Sequence, residues 1–211
     1  MNEFSYVRVK ICGITRPGDA VEAARLGVDA VGLVFAPASP RCIDIARARD
    51  ICRELPPFVS RVGLFMDAGV DRITTVLDQV ELDWLQFHGS EDEAECRRYR
   101  RPWIKALGLA GSRGEGQDIS GAFPGAAALL LDSHAPGSPG GTGRCLDWTQ
   151  LRPPSRPWIL AGGLTPENLG QAIGLVHPPA VDVSSGVEAT PGIKDHARMK
   201  AFMEASRNGG T

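Results

Sequence analysis

Short apolar runs and helical patches alternate along this chain from one end to the other. V-K-I-C at 9–12 has strand character and breaks at Gly13. The segment after it is opened by Pro17 and closed by Gly27, with Ala20, Ala24 and Leu26 as its apolar face, which predicts a helix. V-D-A-V-G-L-V-F (28–35) then reads as a second strand, and the unit recurs. Helices are expected near 44–55, 70–80, 90–100, 165–174 and 194–206, with a weaker one in the Gly-rich stretch 112–123; further strands are expected at 59–65, 84–87, 103–107, 127–131, 158–160 and 180–183. Strands that alternate with helices imply a parallel sheet, because each parallel crossover needs a helix-sized connection. Eight such units in 211 residues match the lower size limit of a (β/α)8 barrel. An open doubly wound sheet is the alternative, but no G-x-G-x-x-G follows Cys12 and no G-x-x-x-x-G-K-[ST] occurs anywhere. Gly and Pro are spread through the chain and mark no linker, so the expectation is a single α/β domain over 1–211, a (β/α)8 TIM barrel of the phosphate-binding type.

Composition narrows the function more than the fold. A formal net charge of -2 and a pI near 6.1 leave no basic excess, which argues against nucleic acid as a partner. Five cysteines without C-x-x-C spacing suggest neither a disulfide framework nor a zinc site; no metal is expected, and a reducing cytoplasmic setting fits best. No apolar run approaches the roughly 20 residues of a membrane span, and the first residues lack a signal peptide's charged and apolar regions. The protein is expected to be a monomer or a homodimer.

In a barrel, chemistry is done on the loops that follow the strands. Those positions hold Cys12, the loop 36–41 with Arg41, Gln86 and His88, Asp132, Gly162 and Gly163, and Asp182 with Ser184 and Ser185. Side chains two apart on a strand face the same way, so Lys10 lies one pleat below Cys12. There it either lowers the thiol pKa and favours the basic thiolate, or neutralises an inward carboxylate. His88, just before Gly89, either joins the rim or caps a turn. Asp132 closes the run A-A-A-L-L-L before a loop that can exclude water, a setting that raises a carboxyl pKa and suits a general acid. Arg41 is the one cation of its loop and can grip a carboxylate with two parallel bonds. Three Gly-rich pieces follow late strands: P-G-G-T-G (139–143), L-A-G-G-L-T (160–165) and V-S-S-G-V-E (183–188). Glycine lets backbone N–H groups approach an anion closely, and a short extra helix at 184–188 would add its N-terminal positive charge, with Ser185 bonding a phosphate.

K-I-C-G-I-T (10–15), Q-F-H-G (86–89), L-L-L-D-S (129–133) with G-G-T-G (140–143), L-A-G-G-L (160–164), V-D-V-S-S-G-V-E (181–188) and P-G-I-K-D (191–195) stand in an order that resembles the phosphoribosylanthranilate isomerases of tryptophan biosynthesis. The resemblance covers nearly the whole chain. It implies a cofactor-free Amadori rearrangement of N-(5-phospho-β-D-ribosyl)anthranilate to 1-(2-carboxyphenylamino)-1-deoxy-D-ribulose 5-phosphate. By the same resemblance Asp132 matches the general acid, Cys12 the general base and Arg41 the holder of the anthranilate carboxylate, and Gly141, Gly143, Gly163, Ser184 and Ser185 fall in phosphate-binding stretches. Asp182 is an inward carboxylate near the substrate without an assigned role. The loop F-A-P-A-S-P-R-C departs from the family's pattern at Ala36 and Ala38. Two other sugar-phosphate barrels, an indoleglycerol-phosphate synthase-like enzyme and a histidine-pathway isomerase, fit less well because neither uses a cysteine base. A non-catalytic metabolite-binding barrel would not need Cys12 and Asp132 together.

Overall fold

The computed structural model describes residues 6–109, 119–133 and 147–209. Eight parallel strands, β1 (Arg8–Cys12), β2 (Ala30–Val34), β3 (Ser60–Phe65), β4 (Trp84–Phe87), β5 (Trp103–Gly108), β6 (Ala128–Asp132), β7 (Trp158–Leu160) and β8 (Ala180–Val183), form a closed barrel in chain order. The pairing of β8 with β1, which sets Asp182 beside Lys10, closes the ring and rules out the open sheet. Helices α1 (Pro17–Leu26), α2 (Ile45–Glu54), α3 (Val70–Gln79), α4 (Glu93–Arg97), α5 (Leu169–Val176) and α6 (His196–Asn208) connect or follow the strands.

The two-residue strand period sorts the apolar side chains into two layers. Val62, Ile104, Ala106, Leu130, Ile159 and Ala161 fill the inside of the barrel. Their alternates, among them Ile11, Val31, Leu33, Phe65, Leu85, Phe87, Leu129 and Leu131, pack outward under the helices. The inner layer stops short of the strands' C-terminal ends, where the wall turns polar, and this is what makes a site at that rim.

Several elements differ from expectation for local reasons. The helix expected at 90–100 shrinks to α4, because Asp92 and Glu95 form a capping box that fixes its start at Glu93. The helix expected at 165–174 becomes α5, displaced toward the C-terminus. Asn168 accepts from the Thr165 N–H and donates to the Gly163 carbonyl, holding the preceding turn as a loop. Residues 112–118 of the weak helix lie outside the described residues, and 119–123 form a turn. The last helix was expected from Lys194, but Asp195 caps it by accepting from Arg198 N–H, so α6 begins at His196. Lys194 belongs instead to a two-stranded hairpin, β9 (Glu188–Thr190) and β10 (Ile193–Lys194), turned at Gly192 in the left-handed region.

Candidate active site

Continuing the period that buries Ile104, Leu130 and Ile159, the last inward positions are Lys10 and Cys12 on β1, Gln86 and His88 at the end of β4, Asp132 on β6, and Asp182 and Ser184 at the end of β8. All but Ser184 are buried. Cys12 is 5% exposed, and its thiol lies over Gly32 of β2: a methyl group there would stand only 2.6 Å from Sγ. Gly32 thus makes room for the thiol.

The structure bears out the second reading of Lys10 in full and the first only in part. Its Nζ donates to Asp182 Oδ1 at 2.8 Å inside the barrel. Burial works to push the Lys10 ammonium down, but Asp182 and Cys12 together hold it up. Asp182 therefore has a role that was not assigned from the sequence, as counter-ion to Lys10. The expectation that Lys10 leaves the Cys12 thiol with a lowered pKa is overturned. Burial pushes the thiol up by more than Lys10 and Lys194 pull it down. The physical reason is that a thiolate here loses its hydration, while the nearest cation is shared with a carboxylate.

Asp132, 6% exposed, has His88 Nε2 at 3.7 Å from Oδ2 and Ser133 Oγ at 3.5 Å from Oδ1. Gln86 Nε2 stands 3.2 Å from His88 Nδ1 and fixes the ring from behind. His88 faces the rim and does not cap the turn after it; that work falls to Glu91, whose carboxylate accepts from Gly89 N–H and Asp67 N–H and pairs with Lys105 at 2.8 Å. Between Cys12 and Asp132 on the shorter way round the ring stand β7 and β8. The Lys10–Asp182 pair occupies the wall on that side.

Arg41 reaches the same rim from the loop after β2. Its stem crosses Gly13, the residue after Cys12, which has φ 76° and no room for a Cβ against Arg41 Cδ. The guanidinium is already engaged on one edge: Nε and Nη2 donate to the two oxygens of Glu188 at 2.8 and 2.7 Å. Glu188 and its second cation, Lys194, did not stand out in the sequence. They lie 147 and 153 residues beyond Arg41 on a short hairpin, where charges ordinarily signal a solvated surface.

The expected short helix is present as a 3₁₀ turn, Ser185–Val187, preceded by Ser184. Gly186 has no room for a Cβ against the Leu164 carbonyl, so the loops after β7 and β8 touch there. Gly162 and Gly163 both have positive φ, and Gly162 lies against the backbone N–H of Ser133 after β6. Ser184 Oγ is buried without a hydrogen-bond partner among the described residues, as an anion's ligand would be. Gly141 and Gly143 lie outside the described residues. Among the described residues no cluster of three or more His, Cys, Asp or Glu is arranged to hold a metal, and no helix is long and apolar enough to cross a membrane. A cavity of about 910 Å³ opens at the opposite end of the barrel, beside Phe58, Trp84 and Trp158. Its walls do not bring Cys12 and Asp132 together, so the C-terminal rim is the candidate site.

Residues 9–205 match the family model described as N-(5'phosphoribosyl)anthranilate (PRA) isomerase. A Pseudomonas aeruginosa protein named N-(5'-phosphoribosyl)anthranilate isomerase is 53% identical over 206 residues, covering 96% of each chain. The crystal structure of phosphoribosyl anthranilate isomerase from Thermus thermophilus superposes with a TM-score of 0.83 at 38% identity, over 94% of this chain and 98% of that one. A second such isomerase, crystallised with reduced 1-(o-carboxyphenylamino)-1-deoxyribulose 5-phosphate, gives a TM-score of 0.79 at 41% identity, over 96% and 99%.

Proposed function

The chain belongs to the N-(5'-phosphoribosyl)anthranilate isomerase family, and from that premise we propose that Asp132 and Cys12 are the general acid and general base of its reaction. It is an isomerase of tryptophan biosynthesis built on a TIM barrel. In the proposed sequence Asp132 protonates the ribose ring oxygen, the C1–O bond breaks, and the nitrogen lone pair forms the iminium. The Cys12 thiolate then takes the C2 proton, and those electrons flow to nitrogen to give an enolamine. Delivery of the Cys12 proton to C1 and loss of the enol O–H proton to the Asp132 carboxylate leave the ketone, so acid and base both end as they began. The reaction needs an acid and a base on opposite sides of one sugar. The observation that carries the assignment is that two buried groups of suitable chemistry, on β1 and β6, end inward positions of one rim.

The remaining groups fit the two anionic ends of the substrate. Arg41 would hold the anthranilate carboxylate, and the N–H groups near Gly163, Ser184 and Ser185, with the Ser184 hydroxyl, would hold the phosphate. The ligand of the 41%-identical relative carries both of these groups. Asp182 acts through Lys10, keeping a cation beside Cys12 without leaving it unpaired. The test follows the decay of anthranilate fluorescence with substrate generated in situ. Cys12→Ala and Asp132→Asn should each lose about 10²- to 10⁴-fold in kcat while remaining folded. A change confined to KM would make the residue a binding group, and near-normal turnover by folded Cys12→Ala would return the thiol to plain packing.

A further inference from the structure

The hairpin β9–β10 brings one carboxylate and two cations into a buried cluster at the Arg41 side of the rim. Glu188 and Lys194 are cross-strand partners, and both side chains reach inward. Lys194 Nζ donates to Glu188 Oε1 at 2.8 Å and to the Ser184 carbonyl at 3.1 Å, so the same ammonium braces the turn proposed to hold the phosphate. Lys194 and Glu188 side chains are 0% and 4% exposed, and Arg41 is 10% exposed. Burying three charges is costly unless each is matched, and two cations on one carboxylate leave the cluster one positive charge in excess. An anion delivered to this place completes it.

Geometry says where that anion goes. A guanidinium has five N–H donors in a planar fork. Glu188 occupies the Nε–Nη2 edge and leaves the Nη1–Nη2 edge, which can still take a carboxylate through two parallel bonds. The stem of Arg41 cannot choose another path, because it is threaded over Gly13 at one end and clamped by Glu188 at the other. We propose that Glu188, backed by Lys194, is the positioning residue that aims the free edge of Arg41 at the carboxylate of the aryl group and so makes the enzyme select an ortho-carboxylated aryl amine. This rests on the reading of Arg41 as the carboxylate's holder.

Charge and position predict opposite signs for Glu188→Gln, which makes the proposal testable. Removing a negative charge raises the local positive potential, so a purely electrostatic part would tighten binding of an anion. Loss of the clamp lets the guanidinium turn and loosens it. The readout is the dissociation constant of an analogue without the carboxyl group divided by that of reduced 1-(o-carboxyphenylamino)-1-deoxyribulose 5-phosphate, a ratio which isolates the carboxylate from the phosphate. In Glu188→Gln that ratio should fall by roughly tenfold. Glu188→Asp keeps the charge but withdraws the carboxylate by one methylene, and the ratio should fall there too; this variant carries the test if Glu188→Gln does not fold. In an Arg41→Ala background neither change should reduce the ratio further. A ratio that stays level or rises in the folded Glu188 variants, while Arg41→Ala abolishes it, overturns the proposal and leaves the Arg41 reading intact. A ratio unmoved by Arg41→Ala overturns both.

Discussion

Gly13→Ala should injure both folding and substrate binding, for separable reasons. Gly13 has φ 76°, and a residue with a Cβ in that region costs roughly 1–2 kcal/mol. The new methyl group also meets Arg41 Cδ, with Ser184 Oγ at 3.1 Å. A long side chain could ordinarily step aside, but this one is clamped at its far end, so moving the stem means breaking the pair with Glu188. On the role proposed for Arg41, a displaced guanidinium no longer meets the substrate carboxylate; a charge-assisted hydrogen bond of that kind is worth about 1.5–3 kcal/mol, which corresponds to a KM raised roughly ten- to a hundredfold with a smaller change in kcat. The strain should lower Tm by about 2–8 °C in a domain of this size. Thermal denaturation and steady-state fluorescence kinetics read the two effects on one sample. A lowered Tm with unchanged kcat and KM would refute the placement of Arg41 against the substrate. An unchanged Tm would refute the reading of the backbone at Gly13.

Lys10→Met should shift the rise of kcat/KM with pH to higher pH, because burial already raises the Cys12 thiol and Lys10 is the main group opposing that shift; a limb that does not move would mean Cys12 is not the titrating base. Cys96, nearly inaccessible, is pushed up to about 12 by burial from a reference value of 9.0. The folded thiol holds its proton more tightly than the unfolded one, so this stabilisation is complete below pH 9 and is lost as the pH climbs toward 12. Denaturant titrations should show a shallower alkaline loss of stability in Cys96→Ala than in the parent, and equal slopes would contradict the assignment. Gly186→Ala should push the loops after β7 and β8 apart at the Leu164 carbonyl. Inorganic phosphate should then bind at least tenfold more weakly by calorimetry, and undiminished binding would move the anion site elsewhere.

The barrel was legible because its signal is local and repeated. Each strand declares itself by apolar alternation and each helix by punctuation such as Pro17 and Gly27, and eight repeats leave little choice of architecture. The positions of Cys12, Asp132 and Asp182 followed from the strand period alone. Boundaries failed where a polar side chain outweighed the apolar pattern, as with Asp92, Asn168 and Asp195. The state of the site was legible only in part. An inward carboxylate was one of two partners the sequence offered for Lys10, but that it is Asp182, and that Arg41 is clamped by Glu188, depends on pairs of residues 172 and 147 positions apart. Nor does a sequence show that the mouth is dry enough for burial to outweigh a neighbouring ammonium on Cys12.

The join between β1 and β8 also bears on how the molecule is made. Cys12 lies in the first unit of the barrel, whereas Asp182, Glu188 and Lys194, which set its surroundings, belong to the last. Thr15 bonds to the Gly192 carbonyl, Arg16 to the Lys194 carbonyl, and Asp19 to Lys194 N–H and His196, so the first and last units are laced together across some 175 positions of chain. Contacts of such long range are the slowest to form, since the whole intervening loop must be closed first. Catalytic competence should therefore appear late in refolding, after most of the barrel's secondary structure. A circular permutant that joins the two ends and opens the chain elsewhere would turn this seam into a local contact, and should bring the gain of activity forward without altering the finished site.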